Sequence, residues 1–444
     1  LAHPKGIPMI PFSEYAKRRK ALMKQLDSSS IVVLSGAKDI IRNGDAFHPF
    51  RQQSDFYYLT GFNEPSSIMA LLPNNKDGET ILFNLPRNPE EERWTGPRTG
   101  QHNACKHYLF DAAYSIGQFE EKLPELLTDR NKIYYPFGLD RQLERTLSYT
   151  TKKLHNKKQA SVKTPTMFID ILPMIHDLRV FKSATEIATI QHAIDITSLA
   201  HLRAMEAARP KINECELDAI LTYEFKRQGA PYPAYSNIVA AGKNACTLHY
   251  TDNNRIISKN DLILIDAGAE YNNYAADITR TFPVNGRFSP EQRAIYNLVL
   301  NAQLAGIQAI KPHVRWNRIQ TVIVSVITEG LKELGILKGK TSDLIDKKAY
   351  LPFYMHGSGH FLGLDVHDVG YYKTNDQWRM LEAGMVLTVE PGIYITNPSA
   401  VHRRFHHIGV RIEDDIVVTQ KGCEVLSQHL PKTADEIETI VHAL

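Results

Sequence analysis

A chain of 444 residues exceeds what one hydrophobic core ordinarily supports, so two domains are expected, and its ordinary globular composition excludes a disordered or fibrous polypeptide. A net charge of only +3 argues against a nucleic-acid or membrane-surface partner, and no apolar run approaches the roughly 20 residues of a membrane span. Cys105, Cys215, Cys246 and Cys423 stand far apart, in no metal or redox spacing, and read as thiols of a reducing compartment.

Taken in chain order, the first eight residues, L-A-H-P-K-G-I-P, lack the apolar core of a signal peptide. They also lack an initiating Met, which suits a tag remnant or a processed precursor. Up to about residue 175, short apolar runs at 31–34, 68–72 and 80–85 mix with helical segments, which predicts an α/β domain. R-V-F-K-S-A-T-E then carries a capping box, Ser183 with Glu186 three residues on, opening a long helix that runs to about Arg209 and stops at Pro210. The boundary falls just before it, giving domains 1–178 and 179–444. Further helices start near Pro290 and near Asn317. Helices covering one side of curved antiparallel strands make the second domain α+β.

Four strand-like runs in that domain carry acids. They are D-L-I-L-I-D-A-G (261–268), A-A-D-I-T-R-T-F (275–282), M-V-L-T-V-E-P-G (385–392) and G-V-R-I-E-D-D-I-V (409–417). I-D-A-G and V-E-P-G each put an acid at the end of an apolar run, and each is answered by a later acid, a weak pseudo-repeat of two halves facing one site. Between the pairs, H-G-S-G-H-F-L-G-L-D-V-H-D sets His356, His360 and His367 among glycines that let backbone approach closely. One Asp before Ala-Gly is an ordinary turn former. Asp266, Asp277, Glu390 and Glu413 together, with His360, are different, because buried carboxylates demand counter-charge. A pair of divalent ions supplies it, and the set points to metal-assisted hydrolysis.

In order and spacing, L-H-Y-T-D-N (248–253), D-I-T-R-T-F-P-V-N-G (277–286), H-G-S-G-H-F-L-G-L-D-V-H-D-V-G (356–370), V-L-T-V-E-P-G-I-Y (386–394) and G-V-R-I-E-D-D-I (409–416) resemble the aminopeptidase P and prolidase family of pita-bread metallopeptidases. The likeness is nearest to the aminopeptidase P branch and covers nearly the whole chain. It implies an N-terminal aminopeptidase P domain of α/β type and an α+β pita-bread (creatinase/aminopeptidase-like) catalytic domain. It implies a metalloaminopeptidase that releases the first residue from peptides with proline second. Asp266, Asp277, His360, Glu390 and Glu413 become the ligands of two metals, with Asp277 and Glu413 bridging, Asp266 on one ion and His360 and Glu390 on the other.

Four oxygen-donor side chains and one imidazole favour Mn2+ over Cu2+ and admit Zn2+, Co2+ and Fe2+. Two cations lower the pKa of a shared water, giving a nucleophile near neutral pH. Glu390 is the candidate proton shuttle, and Asp266 with its metal the anchor for the substrate amine. His249, His356 and His367 resemble the family's histidines that bond the developing oxyanion or line the proline site. Arg411, two residues before Glu413 on a strand, faces the same side and is expected to fix ligand carboxylates. Tyr235 and Tyr394 are expected to line the substrate pocket. The resemblance makes Trp94 a residue that reaches across to a neighbouring subunit's site, in a homo-oligomer of two or four chains. A cytoplasmic location is expected, with the mitochondrial matrix as alternative. The alternatives in activity are a dipeptide-cleaving prolidase and a mitochondrial precursor-trimming relative. Metal-free pita-bread binding modules lose the acid set, and here all five positions are filled.

Overall fold

Residues Ser30–Ser35, S-I-V-V-L-S, are branched or small and nearly all buried, and they form β1 inside a six-stranded sheet. In this computed structural model, which describes residues 9–76, 78–156, 163–396, 399 and 401–441, the chain divides into two units, Ile10–Arg179 and Val180 onward. Residues 1–8, where the leader and processing readings fall, lie outside the described residues.

In the first unit β2 (Ile68–Leu71) and β3 (Thr80–Asn84) continue β1 as an antiparallel meander. These are the three runs that the sequence marks as strands. β4 (Ala112–Ser115) joins β3 in parallel, while β5 (Lys132–Tyr135) and β6 (Met167–Asp170) extend the sheet in parallel from β1. Ile31, Val33, Ala70, Ile81 and Phe83 face a core completed by Phe119, Leu123, Leu127, Leu143 and Leu147. The last five come from helices Phe119–Leu127 and Arg141–His155, the second capped by Asp140, which accepts from two backbone N–H groups.

In the second unit α1 (Ala184–Ala207) starts at the predicted capping box, with both Ser183 and Glu186 arms made. α2 (Glu214–Arg227) was not read from the sequence, although Asn213 and Glu216 form a second capping box. α3 (Pro290–Gln308) and α4 (Asn317–Glu333) begin where predicted. The two helices approach closely: a Cβ at Gly330 would run into the Leu298 side chain.

Strands β7 (Ile238–Ala241), β8 (Leu262–Ala267) and β9 (Ile278–Pro283) form one antiparallel sheet. The two runs predicted as single strands through Glu390 and Glu413 are each broken at that acid. The first becomes β10 (Val386–Val389) and β11 (Gly392–Ile395), the second β12 (Ile408–Arg411) and β13 (Asp414–Val418). β10 pairs with β13 and β11 with β12, in separate ladders. The two breaks have different causes. Pro391 cannot donate to a ladder, and the Glu413 N–H turns aside to the Thr279 carbonyl at 3.1 Å. Both breaks therefore open toward the end of β8 and β9.

Candidate metal centre

Asp266 lies in β8, directly across the ladder from Thr279 of β9, and Asp277 immediately precedes β9. Glu390 and Glu413 stand at the two strand breaks, where their side chains are free of the pleat. The backbone N–H of Glu390 donates to Ser358 O at 3.0 Å, joining the break to the histidine segment. Thr388 N–H donates in turn to His360 O at 2.9 Å. Gly359 permits this approach, since a Cβ there would strike the Thr388 carbonyl oxygen. All five predicted ligands thus border one cavity of about 400 Å3, together with His249, His356, His367 and Arg411.

Donor atoms of Asp277, His360 and Glu413 come within 4.8 Å of one another, close enough for one ion. His360 Nε2 sits 3.2 Å from Asp277 Oδ2 and 3.7 Å from Glu390 Oε1, and its Nδ1 is 3.0 Å from the Phe361 carbonyl. That carbonyl holds the proton on Nδ1 and leaves Nε2 as the ligand atom. Thr279 Oγ1 donates to Glu413 Oε2 at 2.7 Å.

The cavity is short of positive charge. Burial drives the Glu413 carboxyl well above its usual range, and Asp277, Glu390 and Asp266 add repulsion. Glu390 is pushed up to about 7 by burial, against the pull of His360 and Arg411. Asp266 is raised by burial despite the guanidinium beside it. Burial disfavours the His360 imidazolium, but the Asp277 hydrogen bond and the surrounding carboxylates outweigh it and raise the group to about 9. Four carboxylates share the single guanidinium of Arg411. Such a set is stable only with protons or cations among it.

Arg411 Nη2 donates to Asp266 Oδ2 at 2.6 Å and Nη1 to the Tyr394 hydroxyl at 3.0 Å. It reaches Asp266, on another strand, because the break after β12 removes the alternation that would align it with Glu413. Tyr394 and Tyr235 differ from expectation. Neither is among the residues bordering the cavity. Tyr394 is buried behind it, its hydroxyl against Arg411 and 2.9 Å from His356 Nε2. The Tyr235 hydroxyl lies 2.5 Å from both Asp266 Oδ1 and Asp277 Oδ1. One hydroxyl proton cannot serve two carboxylates, so a second proton or a cation belongs among these oxygens.

His356 is held neutral, lowered to about 4 by burial and the nearby Arg411. His367 packs edge-on against His360, ring centres 4.4 Å apart, and burial with the His360 charge lowers its pKa too. His249 is exposed at the cavity mouth. Trp94 lies in the first unit, on helix Pro89–Thr95, and is 89% exposed, a surface residue of that unit and not part of its core.

Two buried residues escaped the sequence reading. Thr279 bridges Arg411 Nε and the Glu413 carboxylate. Asp415 Oδ2 accepts the Asp277 N–H at 3.0 Å. Each lies two positions after a ligand acid in a run that the sequence marks as strand-like, although Asp277 and Glu413 themselves stand just outside the strands that carry Thr279 and Asp415.

The family model described as metallopeptidase family M24 matches residues 188–420, and that for the aminopeptidase P N-terminal domain matches 15–134. The chain is 41% identical over 431 residues to Xaa-Pro aminopeptidase of Escherichia coli K12, covering 97% of this chain and 98% of that one. The solved structure of Pseudomonas aeruginosa aminopeptidase PepP superposes with a TM-score of 0.97 at 49% identity, covering 98% of this chain and 99% of that one. Zinc-substituted E. coli aminopeptidase P in complex with product superposes at 0.95 and 41%, with the same coverage of both chains.

Proposed function

Since the chain belongs to metallopeptidase family M24 and carries the aminopeptidase P N-terminal domain, we propose that it is a Xaa-Pro aminopeptidase, releasing the first residue from peptides whose second residue is proline. One observation carries this reading: three buried carboxylates, the partly buried Glu390 and an imidazole converge on one cavity with a single guanidinium to balance them.

The donor set fits two divalent cations, which these five residues would hold: Asp277 and Glu413 would be shared, Asp266 would serve one ion, and His360 and Glu390 the other. Mn2+ is the metal this oxygen-rich set favours, ahead of Zn2+, Co2+ and Fe2+. When bound, the ions supply a water nucleophile active near neutral pH and polarise the scissile carbonyl.

The chain's own residues do the rest. Asp266 anchors the substrate amine and thereby restricts cleavage to N-termini. Glu390 carries a proton from the attacking water toward the leaving proline nitrogen. His356, held neutral, gives its Nδ1–H to the Gly357 carbonyl at 2.7 Å and so walls the proline ring, while His367 donates to the carbonyl oxygen or walls that ring, and His249 reaches the same space from the mouth. Arg411, Tyr394 and Tyr235 hold the acids in position. Proline in the scissile bond has no N–H, so a site for it needs an apolar slot and a route for a proton to its nitrogen.

The domains of this reading are 1–178 and 179–444. The first gives access control and oligomer contacts, with Trp94 at a contact in a homodimer or homotetramer. Light scattering showing a fully active single chain would contradict that assembly. No helix among the described residues is long and apolar enough to cross a membrane. A cytoplasmic location is the reading that the reduced cysteines support, and fractionation tests it. The deciding assay compares Ala-Pro-Ala, Ala-Ala-Ala and Ala-Pro. Fast release from the first alone is expected. Equal rates on Ala-Ala-Ala would favour a precursor-trimming activity, and preference for Ala-Pro would favour a prolidase.

A further inference from the structure

Gly357 and Gly359 border two cavities at once. One holds the acids. The other, of about 310 Å3, lies between Trp316 and Trp378, with Asn317, Gln320 and Thr321 of α4 along its side. Trp316 is braced against Phe361 and Tyr372, ring centres 4.8 and 4.6 Å apart, so this wall is preformed. Gln320 is braced too, its Oε1 accepting from Ser358 Oγ at 2.6 Å. The two glycines differ in kind. Gly359 is required by the fold, as the Thr388 carbonyl shows. Gly357 is not: its φ is not positive, and a Cβ there would meet no atom within 4 Å. Gly357 is thus a glycine that the fold does not need at a position bordering both cavities, where it places no side chain between them.

The second cavity lies on one definite side of the centre. Its Gly357–Ser358–Gly359 edge is flanked by His356 and His360 and bonded to the Glu390 N–H. Asp266 is held on β8 by Tyr235 and Arg411. In the reading above, Asp266 takes the amine of the first residue, so the leaving proline and whatever follows it extend toward Glu390.

We propose that the cavity between Trp316 and Trp378 is the subsite for the side chain of the third substrate residue, the one after proline, and that it selects apolar and aromatic side chains. The proposal rests on the aminopeptidase reading. Aromatic walls reward such a side chain, and the Ser358 and Thr321 hydroxyls, already donating to Gln320 Oε1 and the Asn317 carbonyl, offer little to a charged one.

The test uses the full-length, metal-loaded enzyme. One peptide series varies the third residue (Ala-Pro-Gly, Ala-Pro-Leu, Ala-Pro-Phe) and another the first (Gly-Pro-Ala, Phe-Pro-Ala). Wild type is expected to favour Ala-Pro-Phe over Ala-Pro-Gly in kcat/KM by about 10-fold. Thr321→Trp, which fills the cavity from α4, Gly357→Val, which places a side chain between the two cavities, and Trp378→Ala, which removes a wall, should each bring that ratio toward one. The first-residue ratio should stay in place. Binding gives a readout independent of turnover: two of the three tryptophans border the cavity, so Pro-Phe should change the intrinsic fluorescence at lower concentration than Pro-Gly. A flat third-residue series with equal binding of Pro-Phe and Pro-Gly overturns the proposal, and so does a change confined to the first-residue series. Failure to cleave any Xaa-Pro-Yaa peptide would instead sink the aminopeptidase reading, and the dipeptide titration would still decide this one.

Discussion

Glu390 meets two demands. Its backbone ends a strand, and its carboxylate must sit beside His360 and His356, each 3.7 Å away, while exchanging protons near neutral pH. In the metal-free fold burial holds the group at about 7. Glu390→Gln keeps the shape and removes the base, and His360→Ala removes a ligand. Each should lower kcat at least ~10²-fold in steady-state assays at saturating metal. Near-wild-type turnover in either variant would remove the two-metal reading. Tyr235 illustrates the same economy: one hydroxyl orients two acids that come from different chain segments.

At the scale of elements, the breaks between β10 and β11 and between β12 and β13 place Glu390 and Glu413, and the second break needs support from behind. Arg280 of β9 provides it. Its guanidinium donates to the carbonyls of Glu413, Thr279, Leu430 and Pro431 and to Asp414 Oδ1, all between 2.7 and 3.0 Å. Both Arg280 and Asp414 are fully buried. Gln303, Ser427 and Lys432 also donate to Asp414. Arg280→Met leaves that buried carboxylate with Lys432 as its one remaining ion-pair partner among the described residues, and it takes a donor from four carbonyls, of which Thr279 keeps the Glu413 N–H. A loss of about 3–5 kcal/mol in urea unfolding is expected. Arg280→Lys should recover little, because an ammonium cannot reach five acceptors in a plane. An unchanged midpoint in Arg280→Met would show that the break supports itself.

For the whole molecule, the buried acids tie stability to metal and pH. Glu390 titrates near 4.5 when free and at about 7 in the metal-free fold. Below both values it is protonated in either state and contributes nothing. As pH rises from about 4.5 to about 7, the unfolded chain ionises while the fold stays protonated, so stability falls, and the loss is complete above about 7. Glu413 and Asp266, also raised, act in the same direction. The chelated protein should therefore melt lower at pH 8 than at pH 5.5, and Mn2+ should raise its Tm more at pH 8. Calorimetry showing a metal-induced shift independent of pH would mean that the acids are already neutralised within the protein.

By itself the sequence determined the parts with a local cause. The capping box at Ser183 opens its helix where it stands, because a cap bonds only its own first turn, and the helix expected near Pro290 starts there. The acid-bearing runs were legible as strands, and the five candidate ligands as a set, because four carboxylates in apolar surroundings need cations wherever they meet. Only the tertiary structure decided how they meet. The break at Glu390 has a local cause in Pro391, but the break at Glu413 depends on an amide bonding to Thr279, more than 130 residues away in the chain. The partners of Arg411, Tyr235 and Tyr394 are likewise set across strands, where sequence period carries no information. A strand's alternation tells which side a residue faces, and only the packing of one sheet against the next tells what it faces there.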